Sequence, residues 1–305
     1  MNKIFGIILI FSAVLLPLPV LESQETAEND HPAWLYYEKG NAAFEEKDLG
    51  RALKLYRQAM SADRYYPEAE AGMARVFQAT GEYELAIMYY NRALNQERSL
   101  YVLEEKYDIL YRLSEIYRLL ERWKDYEETL LRITDDQALF SSPENEYRNL
   151  REAMFRILDE EGLNQLLILY RIEGMHTFRA HTELGDFYLH TGRNKRAKDH
   201  LTFAVVMLIS RSIEAVKRFE IEYPYTTMQD FIDTAFFHDH IQEFCVNNGL
   251  FKNLYYLGTA MYGLGDQQIS RQIWEIVAAY PESRWNERAR EQLENPSQAP
   301  VTISY

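Results

Sequence analysis

The sequence repeats with a step of 34 residues: Gly40, Ala52, Tyr56 and Ala59 are followed 34 positions later by Ala74, Ala86, Tyr90 and Ala93, in the same hydrophobic frame. A period of this length is one helix-turn-helix unit. Such a unit cannot bury its apolar face alone, so the chain must stack helix pairs in series. The alanines at 52 and 59 suit helices that cross closely, and Gly81 supplies the left-handed residue that ends a helix. With 47% hydrophobic residues among 305, and only nine Pro and 13 Gly, the composition fits packed helices sharing an elongated core.

The pattern divides the chain into an α-solenoid over 32–294. Clear units span about 33–66, 67–100 and 178–211, the last carried by Leu184, Gly185, Tyr188, Gly192, Ala197, Leu201 and Ala204. Divergent units span about 107–140, 143–174 and 251–284. The first of these follows an insertion at Arg98 to Lys106 and keeps the frame with the bulkier Leu113, Tyr117, Trp123 and Leu130. The second breaks at Glu161-Gly162, and its second helix, Leu163 to Tyr170, is apolar nearly all round and is expected to be buried. The third carries Leu257, Gly258, Tyr262, Gly265 and Trp274, then Pro281 and a polar helix from Ser283 to Leu293 that caps the open end. Between them, a helix after Ala197 is expected to run to Phe219, with Pro224 stopping it and Thr226 capping a further helix from Met228 to Val246. The pattern leaves open how 143–174 and 212–249 pack. Residues 295–305 read as a disordered tail.

Charge and the chain ends exclude several functions. With 47 acidic against 33 basic residues the net charge is −14, which repels a phosphate backbone, and no basic patch offsets it. The densest basic run, Arg193, Lys195, Arg196 and Lys198, reads as a solvated helix face. Residues 1–23 have the layout of a signal peptide, with Lys3, an apolar run from Ile4 to Leu16 and an exit segment from Pro17 to Ser23; residues 24–31 form a linker. The chain is therefore expected to be exported, to the periplasm. Cleavage after Ser23 places Leu21 where a small residue fits better, so an uncleaved anchor is the alternative, and it is the one expected membrane contact. No Cys follows the apolar run, so a lipoprotein anchor is excluded. The single cysteine, Cys245, rules out an intramolecular disulfide and reads as a buried thiol between Phe244 and Val246.

No constellation for catalysis stands out. There is no Gly-flanked Ser nucleophile and no phosphate-cradling Gly loop. The doublets Glu104-Glu105, Asp135-Asp136 and Glu160-Glu161 read as solvated. On one helix His238 and His240 would point about 200° apart, and no His pair has the i, i+4 spacing of a shared ion; His190 and His200 are the pair that consecutive helices could bring together. The expectation is a non-enzymatic chain with no metal and no cofactor.

At these residues the chain resembles the tetratricopeptide repeat family. The resemblance is carried by Leu184-Gly185, Tyr188, Gly192, Ala197 and Ala204; by Gly40, Ala52, Tyr56 and Ala59; and by Gly81, Tyr83, Ala86, Tyr90 and Ala93. The stretch Tyr280 to Ala289 is similar to repeat joints of exported bacterial envelope members. The resemblance implies an all-α, right-handed superhelical solenoid with a C-terminal capping helix, whose first helices line a groove for a peptide or helix of another protein. Carried over position by position, the groove residues are Trp34, Tyr37, Asn41 and Phe44; Ala71, Arg75 and Gln78; Tyr111, Glu115 and Arg118; Thr182, Asp186 and Leu189; and Tyr255, Thr259 and Tyr262. Carboxylate clamping is disfavoured, since Tyr37 stands at the Lys position and Gly72 at that of a second Asn. The implied function is a scaffold or adaptor binding another protein in a bacterial envelope assembly, such as outer-membrane or periplasmic flagellar machinery. The alternatives are a carbohydrate- or cell-wall-binding module presenting a row of exposed rings, and an enzyme with a site in the 200–240 region.

Overall fold

Each of the five stacked hairpins turns on one residue held in the left-handed region. Gly81 (φ 81°), Gly192 (φ 71°) and Gly265 (φ 92°) do this without a Cβ penalty, while Lys47 (φ 62°) and Glu121 (φ 55°) take the same corner despite their side chains. In the first and last pairs an aspartate then starts the second helix: Asp48 accepts from the Arg51 backbone N–H at 3.0 Å and Asp266 from Ile269 at 2.9 Å.

The computed structural model describes residues 31–219, 223–280 and 283–297. The signal segment, most of the linker, Pro281 and the last eight residues of the tail lie outside the described residues. The helices are α1 Ala33–Glu45, α2 Leu49–Ala62, α3 Pro67–Thr80, α4 Tyr83–Leu94, α5 Glu105–Leu119, α6 Trp123–Thr134, α7 Ala138–Ser141, α8 Asn145–Glu161, α9 Leu163–Leu169, α10 Met175–His190, α11 Asn194–Val216, α12 Met228–Ala235, α13 Asp239–Asn247, α14 Leu250–Gly263, α15 Gln267–Ala278 and α16 Asn286–Glu294. No strand occurs among the described residues. The fold is an all-α solenoid of helical hairpins.

Hairpins close where a glycine on the first helix meets a large side chain from the second. A Cβ on Gly40 would lie 2.7 Å from the Tyr56 ring, one on Gly185 2.5 Å from Leu201, and one on Gly258 2.7 Å from Trp274. Tyr56 is also covered from the next hairpin, where a Cβ on Gly72 would lie 2.6 Å from its ring. One buried ring therefore sets both the width of the first hairpin and its distance to the second. The phenol is satisfied at its tip, donating to Asn41 Oδ1 at 2.9 Å; Tyr90 repeats the arrangement by donating to Gln78 Oε1 at 2.8 Å.

The stack runs α1α2, α3α4, α5α6, α10α11, α14α15, because α6 packs directly against α10 and α11 against α14. The helix pair expected at 143–172 forms as α8 and α9, parted at Gly162 (φ 88°), but it lies against α11. Phe155 meets Phe203 with ring centroids 6.2 Å apart, and Asp159 takes Lys198 at 2.9 Å. Covered by both neighbours and by this insertion, α11 is buried on most of its surface. The complete burial expected of the second inserted helix is not observed: Leu163, Leu166 and Leu167 are buried, whereas Ile168 and Leu169 are exposed because only one face of α9 meets the stack.

Further corrections follow from the second insertion. α11 ends at Val216, short of Phe219. The expected helix Met228 to Val246 is broken between Ala235 and Asp239, and its cap is Thr227, whose hydroxyl accepts from Asp230 N–H at 3.1 Å, not Thr226. The two insertions are tied together by Asn164 Oδ1, which accepts from Tyr225 OH at 3.2 Å and Met228 N–H at 2.9 Å. Cys245 is buried, 3.2 Å from the Ser212 hydroxyl, and burial pushes its thiol up to about 11. The partner of His200 is His181, at 3.0 Å between Nδ1 atoms, and not His190; burial lowers His181 to about 3, so both rings are neutral at pH 7.

Stacking α10α11 on α6 also changes the reading of the charged runs. Arg193 and Arg196 both reach Glu127, at 2.8 and 3.0 Å, and Lys198 is buried against Asp159, so the basic run is matched by acids and is not a purely solvated face. Asp136 likewise holds Lys106 at 2.6 Å and accepts from Tyr107 OH at 2.9 Å. At the C-terminal end α16 begins at Asn286 and covers α14: Trp285 lies 5.3 Å from the Tyr255 ring, and Gln292 donates to the Tyr255 hydroxyl at 3.2 Å.

The interlock predicts opposite effects for two glycines. Gly72→Ala forces the Tyr56 ring aside and is expected to cost about 1–3 kcal/mol in urea denaturation. Gly50→Ala on α2, where the new Cβ meets only Asp48 at 4.0 Å, is expected to be neutral or to stabilise by up to about 1 kcal/mol.

Candidate partner-binding surface

The first helices of the hairpins meet one another along one face: α1 packs on α3 and α10 on α14, and the Tyr111 hydroxyl of α5 accepts from the Ala180 N–H of α10 at 3.1 Å. The surface they present is set by which side chains the stack leaves accessible. Trp34 is exposed at the start of α1. Tyr37 is half-buried between the rings of Tyr56 and Tyr66, at 6.0 and 5.7 Å. Phe44 lies under the Arg75 guanidinium at 4.5 Å, and Arg75 reaches Glu45 at 3.8 Å. Arg118 is exposed, and Tyr262 is half-buried beside Trp274 at 5.7 Å.

Other residues expected in the groove serve the fold instead. Asn41 and Gln78 are the acceptors for Tyr56 and Tyr90. Tyr111 is locked between Ala180 N–H and the His176 carbonyl, to which it donates at 2.8 Å, and Glu115 binds Arg179 at 2.7 Å, because α10 follows directly on this hairpin. Tyr255 is 1% exposed and lies beneath the capping helix, while Leu189 and Thr259 are also buried. Asp186 is buried, gripped by Lys252 at 2.6 Å and His190 at 2.7 Å. Burial alone would raise its carboxyl, but His190 and Lys252 outweigh that and hold it below the usual aspartate range.

Sequence reasoning missed a cleft of about 840 Å³ between α10 and α14, walled by α13 and by Tyr280 and Ser283 to Trp285. Its floor and walls are aromatic: Tyr280 stacks on Phe251 at 4.5 Å with planes 8° apart, and Trp285 carries the Arg284 guanidinium at 5.4 Å. Gln242 of α13 fixes the Tyr280 hydroxyl with a 2.6 Å hydrogen bond. At one side Arg179 is held by Glu115 and Glu183, at 2.7 and 2.6 Å; burial would weaken its hold on its proton, but the two carboxylates outweigh that and raise its affinity. Glu243 and Arg284 line the same space with no ion-pair partner among the described residues. The lining thus mixes the rings of Phe178, Phe251, Tyr280 and Trp285 with the charged side chains of Arg179, Glu183, Glu243, Lys252 and Arg284. The wall was illegible because α13 belongs to an insertion outside the repeat frame. The signal available was the aromatic pair Tyr280 and Trp285.

The 200–240 region holds a smaller recess of about 210 Å³, lined by Arg211, Ala215, Arg218, His240, Ile241 and Phe244. His238 stands at the N-cap position of α13 without a side-chain capping bond, and its ring and that of His240 flank Phe219 at 4.7 and 5.2 Å. Among the described residues no group of three or more His, Cys, Asp or Glu could hold a metal ion.

The Asp186 cluster gives a pH prediction. A carboxyl with a depressed pKa adds stability that is complete above the unfolded value of about 3.9 and is lost as pH falls through the folded one. Asp186→Asn removes the negative charge that Lys252 and His190 share, and its expected cost is about 3–5 kcal/mol at pH 7. The urea midpoint of the variant should also fall less than that of the parent chain between pH 5 and the acid limb.

Residues 43–101 match the family model described as tetratricopeptide repeat. An uncharacterized protein of Treponema pallidum (strain Nichols) is 25% identical over 213 residues, covering 70% of this chain and 57% of its own length. Lipopolysaccharide assembly protein B of Escherichia coli (strain K12) is 27% identical over 154 residues, covering 50% of this chain and 37% of its own length. The chain thus spans little more than half of the first relative and well under half of the second. Among solved structures, YrrB, a TPR protein with an unusual peptide-binding site, aligns over 88% of this chain and 95% of its own with 14% identity and a TM-score of 0.45.

Proposed function

We propose, from the premise that this chain is a tetratricopeptide-repeat protein, that it is a non-enzymatic adaptor that docks a peptide segment of another protein in the cleft between α10 and α14. Repeats of this kind serve protein–protein interaction. The observation that carries the reading is the 840 Å³ cleft itself, walled by Phe251, Tyr280 and Trp285, with Glu243 and Arg284 on its lining and without an ion-pair partner among the described residues. Rigid rings supply contact area at low rotamer cost, and the two charges set the register of the peptide. Phe44, Arg75 and Arg118 extend the docking surface along the first helices.

The envelope setting belongs to the same proposal. It is supported by the signal-like residues 1–23 and by the 27% identity to a lipopolysaccharide assembly protein over half of this chain. No helix among the described residues is long and apolar enough to cross a membrane. The partner is therefore proposed to be an envelope protein, met after export.

A photo-crosslinking residue at Val246, on the cleft wall, should capture a discrete protein in intact cells, whereas one at Leu150 on the inserted α8 should not. Once that partner is purified, Arg284→Glu is expected to weaken its binding about tenfold, or ~1.4 kcal/mol. Equal capture from both positions, or unchanged affinity, would remove the cleft as the docking site.

A further inference from the structure

His181 of α10 and His200 of α11 meet where nothing favours a proton. Their Nδ1 atoms are 3.0 Å apart, so one ring donates to the lone pair of the other. His181 is 0% exposed and His200 3%. The box around them is aromatic. Phe203 lies within 18° of parallel to His181 at 5.2 Å, Tyr188 is 5.4 Å from His200, and Phe140 of α7 covers both rings at 4.7 and 4.5 Å. His181 Nε2 is buried with no hydrogen-bond partner among the described residues.

The charged groups on the surrounding elements are committed elsewhere. On α6, Glu127 accepts from the Tyr188 hydroxyl and pairs with Arg193 and Arg196, and just past that helix Asp136 holds Lys106. Asp135 beside it and Asp199 on α11 are carboxyls that burial raises, the latter 3.6 Å from Lys195. On α8, Asp159 holds Lys198, and Arg151 donates to the Leu139 carbonyl at 3.0 Å. On α10, Glu183 holds Arg179, and Asp186 holds His190 and Lys252 of α14. Among the described residues none of these forms an ion pair with His181 or His200. Arg196 is near enough to act on His200, and its charge opposes a proton there.

A first proton would put a charge into this apolar box, and a second would set two N–H groups head-on. Acid is therefore taken up only when the rings reach water. The element able to yield is α7, four residues long and with none of them buried. Phe140 is its half-buried plug, and the ties of α7 are the Arg151 bond to Leu139 and the Ser141 hydroxyl on the Asp135 carbonyl at 2.7 Å. We propose that this box is an acid-released latch: on mild acidification α7 swings away, both imidazoles ionise in water, and Phe140 with the wall of Phe203 and Tyr188 becomes accessible. Both rings hold their protons less tightly in the closed box than the ordinary value of about 6.5, so closure is fully favoured above that value and loses ground as pH falls below it. At pH 5 opening gains about 30-fold for each ring that ionises only when open, or about a thousandfold for the pair. The latch is independent of the docking proposal, because His181 leaves α10 towards α11 whereas Thr182 and Glu183 line the cleft.

The test follows amide hydrogen exchange of the full chain by mass spectrometry at pH 7 and pH 5, each rate divided by the intrinsic rate at that pH. The amides of α7 are protected by bonds from Phe140 and Ser141 to the Gln137 carbonyl and from Ser142 to that of Ala138. The expected result is at least a tenfold loss of protection over 138–142 at pH 5, with α1 to α4 unchanged. His200→Asn keeps an amide near the Nδ1 position and leaves one titrating ring, so its loss should be roughly the square root of the parent's. His181→Asn/His200→Asn should show none. Both variants retain Asp135 and Asp199, so an effect of those carboxyls would survive in them. If the variants fold poorly, the parent decides alone: the two histidine C2–H resonances still at their neutral positions at about pH 6 should shift over the range in which α7 loses protection. Unchanged protection of α7 at pH 5, an equal loss in the double variant, a loss spread over all hairpins, or two ring resonances that stay fixed while α7 opens would each overturn the proposal.

Discussion

The structure depends, in three of its stacked hairpins, on the fit of one large side chain from the second helix into a gap that a missing Cβ leaves on the first. Tyr56 does this twice over, because Gly40 on its own hairpin and Gly72 on the next both face its ring. Packing at van der Waals contact is unforgiving over a few tenths of an ångström, so this contact fixes the spacing within a hairpin and the step to its neighbour. The same device recurs with Leu201 against Gly185 and Trp274 against Gly258, which is why hairpins with little sequence in common still stack.

The two insertions do more than decorate this frame. By covering the outer side of α11 they turn a helix that would have had a wet face into a buried one, and the first of them brings Asp159 to Lys198 near its start. The second insertion also supplies α13 as the wall that makes the α10–α14 concavity a cleft. Polar residues that the repeat frame aims at the groove, Asp186 above all, are drawn into ion pairs beneath that cleft, where they hold α10 to α14. The surface left for a partner is consequently aromatic, with a few charges at its rim.

Helix type, the hairpins of the clear units and most turns were legible because they are local. The step from Ala52, Tyr56 and Ala59 to Ala86, Tyr90 and Ala93 names the buried positions of both hairpins, and Cys245 was rightly read as buried. The groove assignments fared differently. Tyr37, Phe44 and Arg75 are half-buried on the first-helix face, but Tyr255 lies under a capping helix and Tyr111 is bonded to α10, sixty-five residues from the acceptor in sequence. The position in the frame says which way a side chain leaves its helix; it does not say what a distant segment later places over it.

The sequence by itself determined the repeating helix pair, its small-residue crossings and its left-handed corners, since each is a matter of backbone geometry and side-chain size within about one turn of its neighbours. Only the tertiary structure decided that α6 meets α10 with α7 to α9 set aside, that His181 and not His190 joins His200, and that the cleft is closed by α13. These outcomes depend on which surfaces compete successfully for burial across long stretches of chain, and the free energy of that competition is written in shapes that form only when the helices have assembled.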